Sequence, residues 1–221
     1  MITVHHLNNS RSQRVLWLLE ELELPYEIKF YERDKETMLA PPELFQVHPL
    51  GKSPVITDGD KTIAESGAIV DYIVSTYGAG RLIPPEGTPD RLRYTYWLHY
   101  AEGSAMPPLL LKLIFGVLPE RAPWFVKPVV KGISATAEKS FIDPQLKLHT
   151  GYWESELTKS EWFAGDQFTA ADIQMSFPLE AANSRAGVET PLPMVGAFLA
   201  RIHARPAYKR ALEKGGPYAY A

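Results

Sequence analysis

The chain has 221 residues, of which 45% are hydrophobic, and a formal net charge of −3. This mildly acidic balance, without a cluster of Lys and Arg, argues against nucleic acid as a partner. The sequence contains no cysteine, which excludes disulfides, cysteine ligands to zinc and a cysteine nucleophile or redox motif. Any thiol chemistry must therefore use a thiol that arrives on a ligand.

The sequence gives no signal for secretion or for membrane insertion. Its first residues, MITVHHLNNS, lack the positive stretch followed by an apolar one that marks a secretory signal. The longest apolar run, at 109–118, is interrupted by Lys112 and is far shorter than the roughly 20 residues of a spanning helix. We therefore expect a cytoplasmic protein with no membrane partner.

Residues 1–80 predict a small mixed sheet with helices. Residues 26–31 alternate apolar and polar side chains with the period of a strand, and residues 11–22 carry apolar side chains at helical spacing. The other predicted elements are a strand at 2–7, a short helix at 41–48, a hairpin of 54–57 and 61–64, and a helix at 66–77. This order indicates a parallel βαβ unit, an antiparallel hairpin and a closing helix, in an α/β domain.

The rest of the chain predicts only helices, after a segment rich in glycine and proline. We expect an N-terminal domain at 1–80, a linker at 81–89 and an all-helical domain at 90–221. The first helix starts at the capping pair Thr88-Pro89 and should bend or break near Met106-Pro107-Pro108. Further helices are predicted at 128–158, 169–184, 193–204 and 206–213.

Five stretches of the chain resemble glutathione transferases of the bacterial and fungal type. They occur in the family's order and cover nearly the whole chain: SRSQRVLWLLEEL, HPLGKSPVI, IAESGAIVDYI, WFAGDQFTAADI and RPAYKRAL. The resemblance implies a thioredoxin-like N-terminal domain, an all-α C-terminal domain, reduced glutathione as cosubstrate, no metal and a homodimer.

The resemblance also implies which residues bind glutathione. A cis Ser53-Pro54 bond is expected to turn the main chain of Ser53 outward, where it would pair with the cysteinyl backbone of glutathione. Ser66 begins a helix, where N–H groups and the helix dipole favour the γ-glutamyl carboxylate. Glu65 would accept the α-amino group, and Lys52 would neutralise the glycyl carboxylate.

The thiol of glutathione must be ionised in order to react. Lowering a thiol pKa from about 8.5 by two units needs about 2.7 kcal/mol. One hydrogen bond to the thiolate supplies roughly 1.5–3 kcal/mol, so a single donor at a helix start is sufficient. The loop after the first strand offers Ser10, our first choice, and Asn9, and the sequence does not decide between them.

An electrophile with an apolar body is expected to bind between the domains. Ser104, Met106 and Phe115 are the predicted lining of its pocket, and Glu102 of a partner subunit is expected to reach the amino end of glutathione. The predicted activity is conjugation of glutathione thiolate to hydrophobic electrophiles, a detoxification reaction. The alternatives are a glutathione-dependent peroxidase or disulfide-bond reductase that uses ligand thiols, and a non-catalytic glutathione-binding or regulatory protein of the same fold.

Overall fold

The computed structural model describes residues 1–185 and 192–220. The N-terminal half consists of β1 (Ile2–Leu7), α1 (Ser12–Glu21), β2 (Tyr26–Tyr31), a 3₁₀ turn (Pro42–Gln46), β3 (Val55–Asp58), β4 (Lys61–Ala64) and α2 (Ser66–Tyr77). The strand order is β2-β1-β3-β4. Strands β1 and β2 are parallel, while β3 is antiparallel to both β1 and β4. The predicted mixed sheet is confirmed, and it is the thioredoxin-like part of the fold.

The sheet places the carboxyl end of β1 and the start of α1 at one edge of the domain. Val4 is fully buried in β1, because this strand has a neighbour on each side and helices above it. The loop of residues 8–11 follows directly. Ligand sites of open α/β sheets favour this end of the strands.

The second half is helical, as predicted. It consists of α3 (Pro89–Tyr100), α4 (Met106–Arg121), α5 (Lys127–Ala137), α6 (Asp143–Leu157), α7 (Ala170–Arg185), α8 (Pro193–Ala204) and α9 (Pro206–Gly215). Residues 78–88 connect the two halves. The predicted boundary at a linker of 81–89 remains a prediction, since the core is continuous from Ile2 to Ala211.

Two of the predicted helices contain a π-helical segment. Residues 101–105 join α3 to α4, and residues 138–142 join α5 to α6. The N–H of Met106 bonds to Ala101 O, and that of Asp143 bonds to Glu138 O. A proline follows each of these residues, and its missing N–H and bulky ring disfavour the regular i→i−4 ladder. The expected bend near Met106 is therefore a local widening of one continuous helix.

The combined helical run Pro89–Arg121 is long and apolar enough to cross a membrane by length and composition. Within this fold it packs along α7 and α5. Its Lys112 forms ion pairs with Glu138 at 3.0 Å and Asp143 at 2.7 Å. One apolar face of its second part, α4, lines a cleft, as described below.

Helix α7 starts beside a hydrogen-bonded pair, Thr169 and Asp172. The buried carboxylate of Asp172 accepts hydrogen bonds from Phe163 N and Thr169 N, each at 2.8 Å, and from Thr169 Oγ1 at 3.1 Å. Burial raises the pKa of Asp172 to about 6, although these bonds favour the charged form. The contact ties the loop at Phe163 to the helix start.

Candidate functional site

Ser10 lies in the loop between β1 and α1, at the end of a chain of hydrogen bonds. Its Oγ lies 2.7 Å from Ser12 Oγ and accepts a bond from Ser12 N at 3.2 Å. Ser12 Oγ lies 2.9 Å from Nδ1 of His6. Burial lowers the pKa of His6, so the ring is neutral near pH 7 and carries one proton. The chain fixes the Ser10 hydroxyl at the floor of the loop.

Asn9 is held in a different way from Ser10. Its backbone has a φ of +48°, a left-handed conformation that asparagine tolerates better than most residues. Its Oδ1 accepts a hydrogen bond at 2.8 Å from the backbone N–H of Ala219. The amide oxygen is thus directed at the C-terminal segment, and only the amide N–H₂ group remains as a donor for a ligand.

The segment before β3 presents Ser53 beside the same loop. The Ser53-Pro54 peptide bond is cis, as predicted. Ser53 Oγ donates to the carbonyl oxygen of His5 at 3.0 Å, which attaches this segment to β1. Lys52 is exposed in the preceding loop.

Glu65 and Ser66 lie at the start of α2. Glu65 is exposed and adopts φ 72° and ψ 123°, a sparsely populated conformation of the kind that collects at binding sites. Ser66 is buried, and its Oγ accepts a hydrogen bond from Arg14 Nη2 at 3.0 Å. Because arginine only donates, the Ser66 hydroxyl keeps its own proton for an acceptor.

Arg14 is the centre of a buried hydrogen-bond network. The guanidinium is 1% exposed and donates to Gln174 O at 2.6 Å, to Ser66 Oγ and to the Glu102 carboxylate. Glu102 also lies 3.1 Å from Arg11 Nε. Burial opposes its ionisation, but the charges of Arg14 and Arg11 prevail and the pKa of Glu102 lies below its ordinary value. Glu102 thus has two partners within its own chain.

A cleft of about 940 Å³ opens beside the Ser10 loop, which is in the range of small-molecule sites. Asn9, Ser10, Arg11 and Ser53 form part of its wall. Lys52, Glu65 and Ser66 are not among the lining residues, and the Arg14–Glu102–Arg11 network connects Ser66 to the cleft.

One face of α4 forms the opposite wall. We call this face the α4 stripe. Its residues are spaced alternately by three and one, which places them on one side of the helix: Met106, Leu109, Leu110, Leu113, Ile114, Val117 and Leu118. Of the three residues predicted for the electrophile pocket, only Met106 lines the cleft. Ser104 is exposed in the π segment, and Phe115 projects from another face of α4 and packs against the core.

The C-terminal segment closes one side of the cleft, which sequence reasoning missed. Tyr218 donates to the buried Glu180 at 2.7 Å, and Tyr220 lies against Phe177 with ring centroids 5.4 Å apart. Phe177 and Tyr220 both line the cleft. The only sequence signal was a pair of tyrosines after Gly-Gly-Pro at the chain end.

Within residues 1–185 and 192–220, no group of three His, Asp or Glu side chains is arranged to hold a metal ion. The polar residues that line the cleft carry hydroxyls, two amides, three arginines, one lysine and one carboxylate, and this positive balance suits an anion and a sulfur ligand. They define a candidate site for a ligand that brings its own reactive group.

The fold and the cleft define a class of protein: a thioredoxin-like sheet domain joined to an all-helical domain, with a ligand site between them. Family models agree, since the glutathione S-transferase N-terminal domain matches residues 1–75 and the C-terminal domain matches residues 124–215. The chain belongs to the glutathione S-transferase family.

Individual relatives cover nearly the whole chain. It is 36% identical to glutathione S-transferase 3 of Schizosaccharomyces pombe, over 97% of the chain and 88% of that protein. It is 32% identical to glutathione S-transferase 1 of Saccharomyces cerevisiae, over 97% of the chain and 95% of that protein. A crystal structure of a glutathione S-transferase from Actinobacillus pleuropneumoniae has a TM-score of 0.82 and 33% identity, covering 100% of this chain and 95% of that one.

Proposed function

We propose that the protein transfers the thiolate of reduced glutathione to electrophiles with an apolar body. The observation that carries the proposal is the cleft of about 940 Å³ itself, which is lined by Ser10 and, on the opposite wall, by an apolar helix face. A sulfur nucleophile bound at Ser10 would meet an electrophile lying on the α4 stripe. The activity of the family agrees with this arrangement.

Glutathione would bind with its γ-glutamyl end at α2. Ser66 has a proton to donate and lies at a helix N-terminus, so it suits the α-carboxylate. Glu65 would accept the α-amino group beside it. The main chain of Ser53 would pair with the cysteinyl backbone, and Lys52 would pair with the glycyl carboxylate.

The sulfur would then lie at the β1–α1 loop. Ser10 is the proposed donor to the thiolate, because this residue lines the cleft and its Oγ already accepts a bond from Ser12 N. Asn9 remains the alternative donor through its amide N–H₂ group. We include in the proposal a homodimer, a cytoplasmic location and a role in detoxification, all of which rest on the family.

The test has a binding stage and a turnover stage. We expect the protein to be retained on immobilised glutathione and eluted by free glutathione, and Ser66→Ala to weaken glutathione binding at least about tenfold, as befits a lost bond to a charged group. The matched control is Ser140→Ala, because Ser140 is exposed in the π segment between α5 and α6 and does not line the cleft.

Turnover is then measured with glutathione and an activated aryl halide, an organic hydroperoxide or a small disulfide. Conjugation of the aryl halide is the expected main activity. Faster reduction of the peroxide or the disulfide would favour the peroxidase or reductase alternative. Retention without turnover of any substrate would identify a binding protein, and no retention would refute the proposal.

A further inference from the structure

The cleft extends well beyond the space that a thiol and a small ring would fill. Glu102, one turn before Met106, forms an ion pair with Arg11 beside Ser10, so the stripe begins at the sulfur end. From Met106 to Leu118 it runs about 18 Å at 1.5 Å per residue. Its outer members Leu110, Ile114 and Leu118 are 49%, 47% and 44% exposed. An apolar wall of this length suits an unbranched chain.

The α4 stripe ends at a basic residue, and a second basic residue lines the cleft. Arg121 continues the face of the α4 stripe three residues after Leu118, and Lys35 lines the cleft from the loop after β2. In the part of the chain that the structure describes, neither residue forms an ion pair. The neighbouring charges are occupied elsewhere, since Glu120 binds Lys127 at 2.8 Å and Lys112 binds Glu138 and Asp143.

Two other charged residues of the same loop line the cleft. Arg33 adds a further positive charge, and its backbone N–H donates to Asn8 Oδ1 at 2.9 Å, close to the sulfur end. Glu32 is the one carboxylate among the described lining residues. The balance of charge at the cleft is therefore positive, although the whole chain carries −3.

We propose that the electrophile is an unbranched aliphatic molecule with a carboxylate at the end remote from its reactive carbon. This inference rests on the proposed transferase function. The chain of the electrophile lies on the α4 stripe, which removes both from water. The carboxylate pairs with Arg121 at the end of the stripe, and Lys35 supplies a second positive charge at the cleft. The reactive carbon reaches the sulfur near Met106.

An α,β-unsaturated aldehyde with a terminal carboxylate shows the chemistry. The thiolate sulfur forms a bond to the β-carbon, and the π electrons of the C=C bond move to give an enolate. The α-carbon then takes a proton from water. Nothing leaves, and the addition needs no oxidant or reductant.

The experiment compares such aldehydes of increasing chain length with their methyl esters, which have the same apolar body without the charge. We expect kcat/KM to favour the acid over the ester, and the preference to grow with chain length until the carboxylate reaches Arg121. Raising NaCl to about 0.3 M should reduce the preference, because salt screens exposed charges.

Variants test the anchor directly. Lys35→Gln/Arg121→Gln should lower the preference for the acid roughly threefold to tenfold, as expected for exposed charge pairs, with turnover of the ester retained. Lys147→Gln removes an exposed charge from α6 and should leave the preference unchanged.

The aryl halide separates the two claims. If the protein turns over the aryl halide but treats acid and ester alike, or if the double variant keeps the full preference, the inference fails and the transferase function stands. If neither the aryl halide nor any aldehyde is conjugated, the proposed function itself fails.

Discussion

The direction of the hydroxyl protons decides what Ser10 can do. The neutral ring of His6 has one proton, and Ser10 and Ser12 have one each. With the ring proton on Nδ1, His6 donates to Ser12. The Ser12 hydroxyl then donates either to Ser10, which leaves the Ser10 proton for the sulfur, or to the carbonyl oxygen of Leu7 at 3.4 Å. With the ring proton on Nε2, Ser12 donates to His6, and Ser10 can donate either to Ser12 or to the sulfur. Ser12 and His6 are therefore positioning residues in the proposed mechanism.

Ser10→Ala is expected to raise the pKa of bound glutathione thiol by about one to two units, since it removes a bond worth roughly 1.5–3 kcal/mol to the thiolate. Ser12→Ala should raise it less, because Ser10 then loses only its orientation. Ultraviolet titration of the thiolate in the complex measures both values. Asn9→Ala serves as the comparison, and a rise in that variant with none in Ser10→Ala would transfer the role to Asn9.

The structure around single residues was predictable where the sequence signal lies in neighbouring positions. The helix start at Ser66 follows from neighbouring residues, and the cis bond at Ser53-Pro54 follows from the motif that carries the family resemblance; both are present. The bonds of Arg14 to Ser66, Glu102 and Gln174 join residues 52 to 160 positions apart. No local sequence pattern predicts such contacts, because they depend on how the helices pack.

Elements were predictable to within one or two residues wherever a proline or a capping residue marks the end. Helix α2 at Ser66–Tyr77 and helix α8 at Pro193–Ala204 agree with the predicted ranges. The π segments were not predicted, since proline signals a disturbed ladder without saying whether the helix breaks or widens. The predicted pocket residue Phe115 illustrates the consequence, because the phase of α4 decides which side chains face the cleft.

The start of α7 should make stability depend on pH through Asp172. Its pKa of about 6 in the folded protein lies above its ordinary value of 3.8, so the folded state binds more protons between these values. The contribution of Asp172 is therefore greatest below about pH 4 and is lost as the pH rises through 6. Asp172→Asn removes this titration.

Urea unfolding at several pH values measures the effect. The free energy of unfolding of the wild type minus that of Asp172→Asn should fall as the pH rises from about 4 to about 7. Asp166→Asn, an exposed carboxylate in the preceding loop, controls for the loss of one negative charge. A difference that stays constant or rises over this range would contradict the prediction.

Helix α1 joins the two halves of the molecule, because it contacts both. It packs against the sheet and α2 on one side and against α7 and α9 on the other. Glu21 pairs with Arg205 at 2.6 Å, and Glu20 pairs with Arg210 at 2.8 Å and with Lys214. Because these contacts and the continuous core join the halves, we expect them to unfold together, and the glutathione site to depend on the helical half.

Arg14 gives the sharpest test of this coupling. Arg14→Met removes the bonds to Gln174 O and Ser66 Oγ and leaves Glu102 with Arg11 alone. Breaking a buried network by removing one partner costs about 2–4 kcal/mol, chiefly because groups remain buried without a partner. Fluorescence and circular dichroism in urea should shift together to lower midpoints, and glutathione binding should weaken because Ser66 loses its orientation.

The double variant Arg14→Met/Glu102→Gln separates the two sources of that cost. One source is the Glu102 carboxylate, which Arg14→Met leaves with a single partner. If it accounts for most of the lost free energy of unfolding, removing its charge should restore part of that loss, and the double variant will be more stable than Arg14→Met. Lys131→Met, an exposed change on α5, provides the baseline for adding a methionine. Strictly additive losses of stability would show that Arg14 and Glu102 act independently. Separate unfolding transitions in fluorescence and in circular dichroism would show that α1 does not couple the halves.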